Sequence, residues 1–146
     1  MLRGWARLEL GELEAGLADI RSSIRALERT GTRIWMQFSH YLLARALAAD
    51  HQWAKAAEIV DRLMTEIKAA GGRWYEAEVM RLRGDILRGQ HGPVSEIEAC
   101  YEAAIATARR QGARLWEFRA MESLAMLREA GTGRTTGAKQ KPSVKI

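Results

Sequence analysis

The chain of 146 residues repeats one short pattern three times. Residues 30–35 read TGTRIW, residues 70–75 read AGGRWY and residues 111–116 read QGARLW. Gly31, Gly71 and Gly112 thus recur at a nearly constant interval, as do Arg33, Arg73 and Arg114, and the aromatics Trp35, Tyr75 and Trp116. Self-similarity at a fixed period marks a stack of repeats, each burying its apolar face against the next. A set of small residues, Gly4, Ala44, Gly84 and Ala125, keeps the same period. A weaker set, Gly16, Ala56 and Ile97 or Ala99, is blurred by an insertion around GQHGPV.

The unit reads as a pair of helices. Apolar residues recur at three and four, as in Ile59, Leu63 and Ile67 and in Tyr101, Ile105 and Ala108. Only two prolines, Pro93 and Pro142, interrupt an Ala-, Leu-, Arg- and Glu-rich sequence. Small residues at recurring positions let two helix backbones approach closely. Gly31, Gly71 and Gly112 fall where a helix stops, in the left-handed cap position that glycine adopts without strain. The pattern predicts seven helices at roughly 2–10, 13–29, 33–49, 52–69, 73–88, 94–110 and 113–129. Residues 131–146 lack an apolar period and are expected to be a disordered basic tail behind a helical domain of residues 1–130. The first helix is short, as if its beginning were missing, and the last has no partner after it.

Helix pairs with matching small residues resemble tetratricopeptide repeats, lengthened from about 34 residues to about 40. The segments RWYEAEVMRLRGDIL and IEACYEAAIATARRQGARLWEFRAMESLAML resemble, more narrowly, the C-terminal repeat region of large bacterial regulator proteins. In those proteins a class III adenylate/guanylate cyclase or DNA-binding domain precedes an ATPase module and then the repeats. The resemblance covers about residues 1–130 and implies an all-α, right-handed superhelix of about three helix pairs plus an unpaired C-terminal helix. It implies no catalytic activity, because the cyclase and ATPase modules lie outside the matched region.

Charge and chemistry narrow the function. The net charge of +5 comes mostly from Arg134, Lys139, Lys141 and Lys145 near the C-terminus, leaving about +1 for residues 1–130. A nearly neutral body argues against a nucleic-acid partner, which needs a basic face on the folded part. No run of about 18 apolar residues is present, and the N-terminus carries no signal-peptide pattern, so no membrane span and a cytoplasmic chain are expected. Cys100 stands alone and reads as a small core residue. The segment GTGRTTGAK mimics a phosphate loop, but its register and the missing strand exclude one. His40, His51 and His91 share no metal-ligand spacing, so no metal and no cofactor is expected. The carboxylate pairs Glu76/Glu78 and Glu96/Glu98, with Asp85, read as solvated helix faces, and the five tryptophans as core.

Binding is expected on the inner face of the stack, as in other repeat proteins. The residues turned that way are Tyr41 and Arg45, then Arg81, Asp85 and Arg88, then Arg119 and Glu122. Their arginines suit a carboxylate or an acidic peptide. The reading is a non-catalytic protein–protein interaction scaffold that takes a peptide or helix from an unidentified partner. A small-ligand sensor module of a split signalling protein, or a remnant of a larger cyclase/ATPase protein, are the alternatives. A homodimer is expected as well. On the last helix Trp116, Ala120, Leu124 and Leu127 form one apolar stripe, and Phe118, Met121 and Ala125 a second. Trp116, Leu124 and Leu127 are the expected self-association residues.

Overall fold

The computed structural model describes residues 1–31, 35–70 and 74–136, with side chains as far as residue 131. These residues form seven helices: α1 (Leu2–Glu9), α2 (Leu13–Thr30), α3 (Met36–Ala49), α4 (Trp53–Ala69), α5 (Glu76–Gly89), α6 (Val94–Gln111) and α7 (Arg114–Thr136). No strand occurs among the described residues. Each helix packs on the next in sequence, and α5 also touches α3 and α7. The odd-numbered helices α3, α5 and α7 therefore share a face, while α2, α4 and α6 back them.

Two kinds of corner repeat. Between α2 and α3 and between α6 and α7 the chain turns at Gly31 and Gly112, with φ of 67° and 65°. At the second of these the Ala113 N–H donates to the Ala108 carbonyl at 2.9 Å, the six-residue closure of a Schellman motif. The cap at Gly71, with Arg33 and Arg73, lies outside the described residues. The other corner joins the two helices of a pair. It falls at Gly11, His51 and His91, all left-handed, with φ of 80°, 56° and 57°. The following N–H closes the same six-residue loop each time, from Glu12 to Arg7, Gln52 to Leu47 and Gly92 to Leu87, at 2.9 Å. These corners keep the same period as the glycine caps. Sequence reading passes over them because two of the three positions are histidine, an uncommon left-handed residue.

The small residues mark where paired helices cross. A Cβ on Gly4 of α1 would stand 2.8 Å from Ile20 Cγ1 of α2, and one on Gly16 2.8 Å from Leu8 Cδ2. Ala44 and Ala56 occupy the same positions in α3 and α4 and are fully buried. In α5 and α6 a Cβ on Gly84 would meet the Tyr101 ring at 2.5 Å. The core runs continuously through α2, α3, α4 and α5, and a second cluster joins Ile97, Tyr101, Ala104 and Ile105 of α6 to Ala120, Leu124 and Leu127 of α7.

Two expectations differ from the structure here. Helix α7 does not stop near residue 129 but continues to Thr136. Gly131, the expected stop, does not take the left-handed conformation of a cap, and no proline falls in that stretch, so the helix runs on at a propensity cost of about 1 kcal/mol per glycine. Cys100 is half-exposed rather than buried in the core.

The crossing at Gly84 gives a direct test. Gly84→Ala gains about 1 kcal/mol of helix propensity but drives a methyl into a fully buried ring. Overpacking a filled site costs about 1–3 kcal/mol, so the net effect expected in urea unfolding is a loss of up to about 2 kcal/mol and no gain.

Candidate functional site

The centre of the face shared by α3, α5 and α7 is a carboxylate. Glu78, in the first turn of α5, has 0% of its surface exposed. Both its oxygens are taken by Arg81 one turn on, which donates from Nε to Oε2 at 2.9 Å and from Nη2 to Oε1 at 2.8 Å. Arg119 of α7 approaches Oε1 at 3.0 Å. The Tyr41 hydroxyl of α3 donates to the same oxygen at 3.2 Å. Arg81 then reaches Asp85 Oδ2 through Nη1 at 2.6 Å, and the Tyr101 hydroxyl of α6 donates to Asp85 Oδ1 at 2.8 Å. One network of charge-assisted bonds thus joins four helices.

Acidities follow from this arrangement. Burial, then the neighbouring Glu78 charge, raises the Tyr41 hydroxyl above its ordinary value. Burial, then the Asp85 charge, does the same for Tyr101. Burial works against the charge of Arg81, but its bonds to Glu78 and the Asp85 charge outweigh it, and the guanidinium is held above its usual value. Both phenols stay protonated donors and Arg81 stays a cation.

Of the residues expected to bind a partner, Tyr41, Arg81, Asp85 and Arg119 are brought together by this network. Tyr41 and Arg81 are both buried. Arg45 stands apart, paired with Glu9 of α1 at 2.5 Å. Arg88 and Glu122 are exposed. The carboxylate that the arginines suit is supplied from within. Glu78 is the residue that sequence reading misses, since its local context places it on a solvated face. Its signal lies in the repeat register: Phe38, Glu78 and Arg119 stand one period apart, so an acid and a base occupy the inward position of an aromatic.

Next to the network lies an aromatic cluster. Phe38 stacks on Tyr41 at 5.6 Å and packs against Trp74 at 5.0 Å, Tyr75 at 5.6 Å and Trp35 at 6.5 Å between ring centroids. Trp35 and Trp74 are 47% and 53% exposed, not core as the sequence suggests. They flank an open cleft of about 1100 Å³, lined also by Gln37, His40 and Glu66. Gln37 donates to Glu66 at 3.1 Å, and the Tyr75 hydroxyl lies 3.4 Å from the Gln37 amide oxygen. Burial lowers the pKa of His40, and the Arg62 charge adds to this, against Glu66 and Glu28. The imidazole is thereby favoured in its neutral form.

At the far end of the chain, Leu124 and Leu127 are 8% and 6% exposed and pack on α6, so these two expected self-association residues belong to the interior. Trp116 is half-buried beneath the Arg119 guanidinium, 5.6 Å from its ring centre. The other stripe, Phe118, Met121 and Ala125, is the open one, and Leu115 and Met126 are exposed beside it. No helix among the described residues is long and apolar enough to cross a membrane. Among the same residues no group of three or more His, Cys, Asp or Glu side chains gathers where it could hold a metal ion. The chain was compared with protein-family models, curated proteins and solved structures, and none matches.

The two acids of the Glu76/Glu78 pair should behave very differently. Glu78→Ala leaves Arg119 without its carboxylate and Arg81 with Asp85 alone, and is expected to cost about 3 kcal/mol of unfolding free energy, the lower end of the loss on breaking a buried pair. Glu76→Ala, at a half-buried position, should cost under about 1 kcal/mol. Chemical denaturation of both variants checks this.

Proposed function

We propose that the chain is a non-catalytic scaffold for protein–protein contact, and that its helix pairs form a right-handed, tetratricopeptide-like superhelix. Its docking site is the aromatic cleft between the starts of α3 and α5, where it takes an extended segment of a partner protein. The supporting observation is the pair of half-exposed indoles, Trp35 and Trp74, on either side of Phe38 in a cleft of about 1100 Å³. Indole rings offer large, rigid contact area at small entropic cost and dominate such interfaces. A large apolar side chain of the partner fits between them. The wall also carries the Gln37 amide and the Glu66 carboxylate, hydrogen-bonded to each other.

The arginine face has a different role in this reading. All three nitrogens of Arg81 are already bonded within the chain, and Arg119 shares Glu78 with it. At Arg81 or Arg119 an acidic peptide would have to displace an internal carboxylate. The same pairing supports a non-catalytic reading, since an acid–base residue needs a carboxyl with an oxygen turned to substrate.

Selection from a displayed library of random peptides tests the proposal. Enriched peptides should carry a large apolar anchor. Their affinity should fall about tenfold or more on Trp74→Ala or Trp35→Ala, with helical content unchanged. Peptides rich in Asp and Glu, whose binding fades with salt and survives Trp74→Ala, would return the site to the arginines.

A further inference from the structure

The recurring small residue identifies a second contact surface. Gly4, Ala44 and Gly84 are each buried where the next helix crosses. Ala125 of α7, the fourth in the series, is exposed. It lies in a groove of about 480 Å³ between α6 and α7, floored by Ile105, Ala106, Met121 and Leu124. Two turns before it on the same face of α7 stands Phe118, 60% exposed, with Leu115 and Met121 beside it. The helix thus carries a projecting ring and a notch two turns apart.

We propose that two copies of this chain pair through α7, antiparallel about a two-fold axis near Met121, so that Phe118 of each seats against Ala125 of the other. The surface is distinct from the aromatic cleft, and the proposal does not depend on it.

Charge fixes the antiparallel sense. The end at the α6–α7 corner carries Arg109 and Arg114, with Glu117 paired to Arg109. The other carries Glu98 and Glu102, both paired to Arg128. A two-fold axis across α7 lays the basic end of one copy on the acidic end of the other, twice. A parallel pairing would set like charges together.

Area is consistent with this. A large apolar side chain presents on the order of 200 Å². Leu115, Phe118, Met121 and Met126, each about half exposed, then offer roughly 400 Å² per copy, half of the ~800 Å² per partner of a standard interface. The charged rims supply polar area of the kind that surrounds such a centre. Because the contact is self-complementary it closes on itself and does not propagate.

Light scattering after size exclusion, on the full chain, should give twice the chain mass of 16.4 kDa. Phe118→Glu should raise the dimer dissociation constant by about 100-fold or more, as loss of a central aromatic anchor does. Its site is exposed, so helicity and melting should hold. The antiparallel register has its own readout in a Cys100→Ser background. Mixing Phe118→Cys with Ala125→Cys should give a disulfide between unlike chains, while neither alone cross-links efficiently. A wild-type monomer at high protein concentration, a dimer indifferent to Phe118→Glu, an open series of larger species, or cross-linking of Ala125→Cys with itself would each overturn the proposal.

Discussion

A buried carboxylate is costly unless its charge is answered, and everything around Glu78 is arranged to answer it. Removing an ion from water carries a penalty of several kcal/mol, recovered only with close opposite charge and hydrogen bonds. Arg81 supplies the bidentate bond from within α5, Arg119 the second guanidinium from α7, and Tyr41 a neutral donor from α3. The three helices of the shared face are therefore held by one acid. Asp85 extends the same logic to Tyr101 of α6, the ring that fills the notch at Gly84. Electrostatics and close packing meet at that tyrosine, so the α5–α6 pair cannot shift without disturbing both.

This arrangement divides the surface by chemistry. Arg45, Arg81 and Arg119, which look available in the sequence, are paired within the fold, while the aromatics at the starts of α3 and α5 remain half open. A stack of helix pairs needs large side chains at each corner, and where successive corners stand side by side their rings gather. Phe38 touches Tyr41, Trp74, Tyr75 and Trp35 for that reason. The proposed recognition surface is thus a by-product of repeat geometry, placed where the repeat concentrates aromatic area.

The helices and their crossings are legible in the sequence because each rests on a local rule: glycine caps at Gly31 and Gly112, small residues at Gly4, Ala44 and Gly84, apolar periodicity between them. The internal corners at His51 and His91 are less visible, since nothing in a histidine announces a left-handed backbone. Glu78 looks solvated in the sequence because an acid in a helix usually is, and its burial depends on Arg119, a full repeat further along the chain. The two stripes of α7 are visible as well, but which one faces inward depends on packing against Ile105 and Tyr101 of α6, which periodicity alone does not settle. The run of α7 past Ala130 crosses Gly131, which a local rule weighs as a stop, but Gly131 does not take the left-handed cap conformation.

The central claim is that Glu78 and Arg119 are a structural pair joining α5 to α7, and a double-mutant cycle measures that pair directly. Unfolding free energies would be compared for the wild type, Glu78→Gln, Arg119→Met and the double variant. The account predicts a coupling energy of about 1–3 kcal/mol in the stabilising direction, the range for residues sharing one ion-pair network. Additive effects within about 0.5 kcal/mol would mean that Arg119 is a surface residue free to bind elsewhere, and would contradict the account.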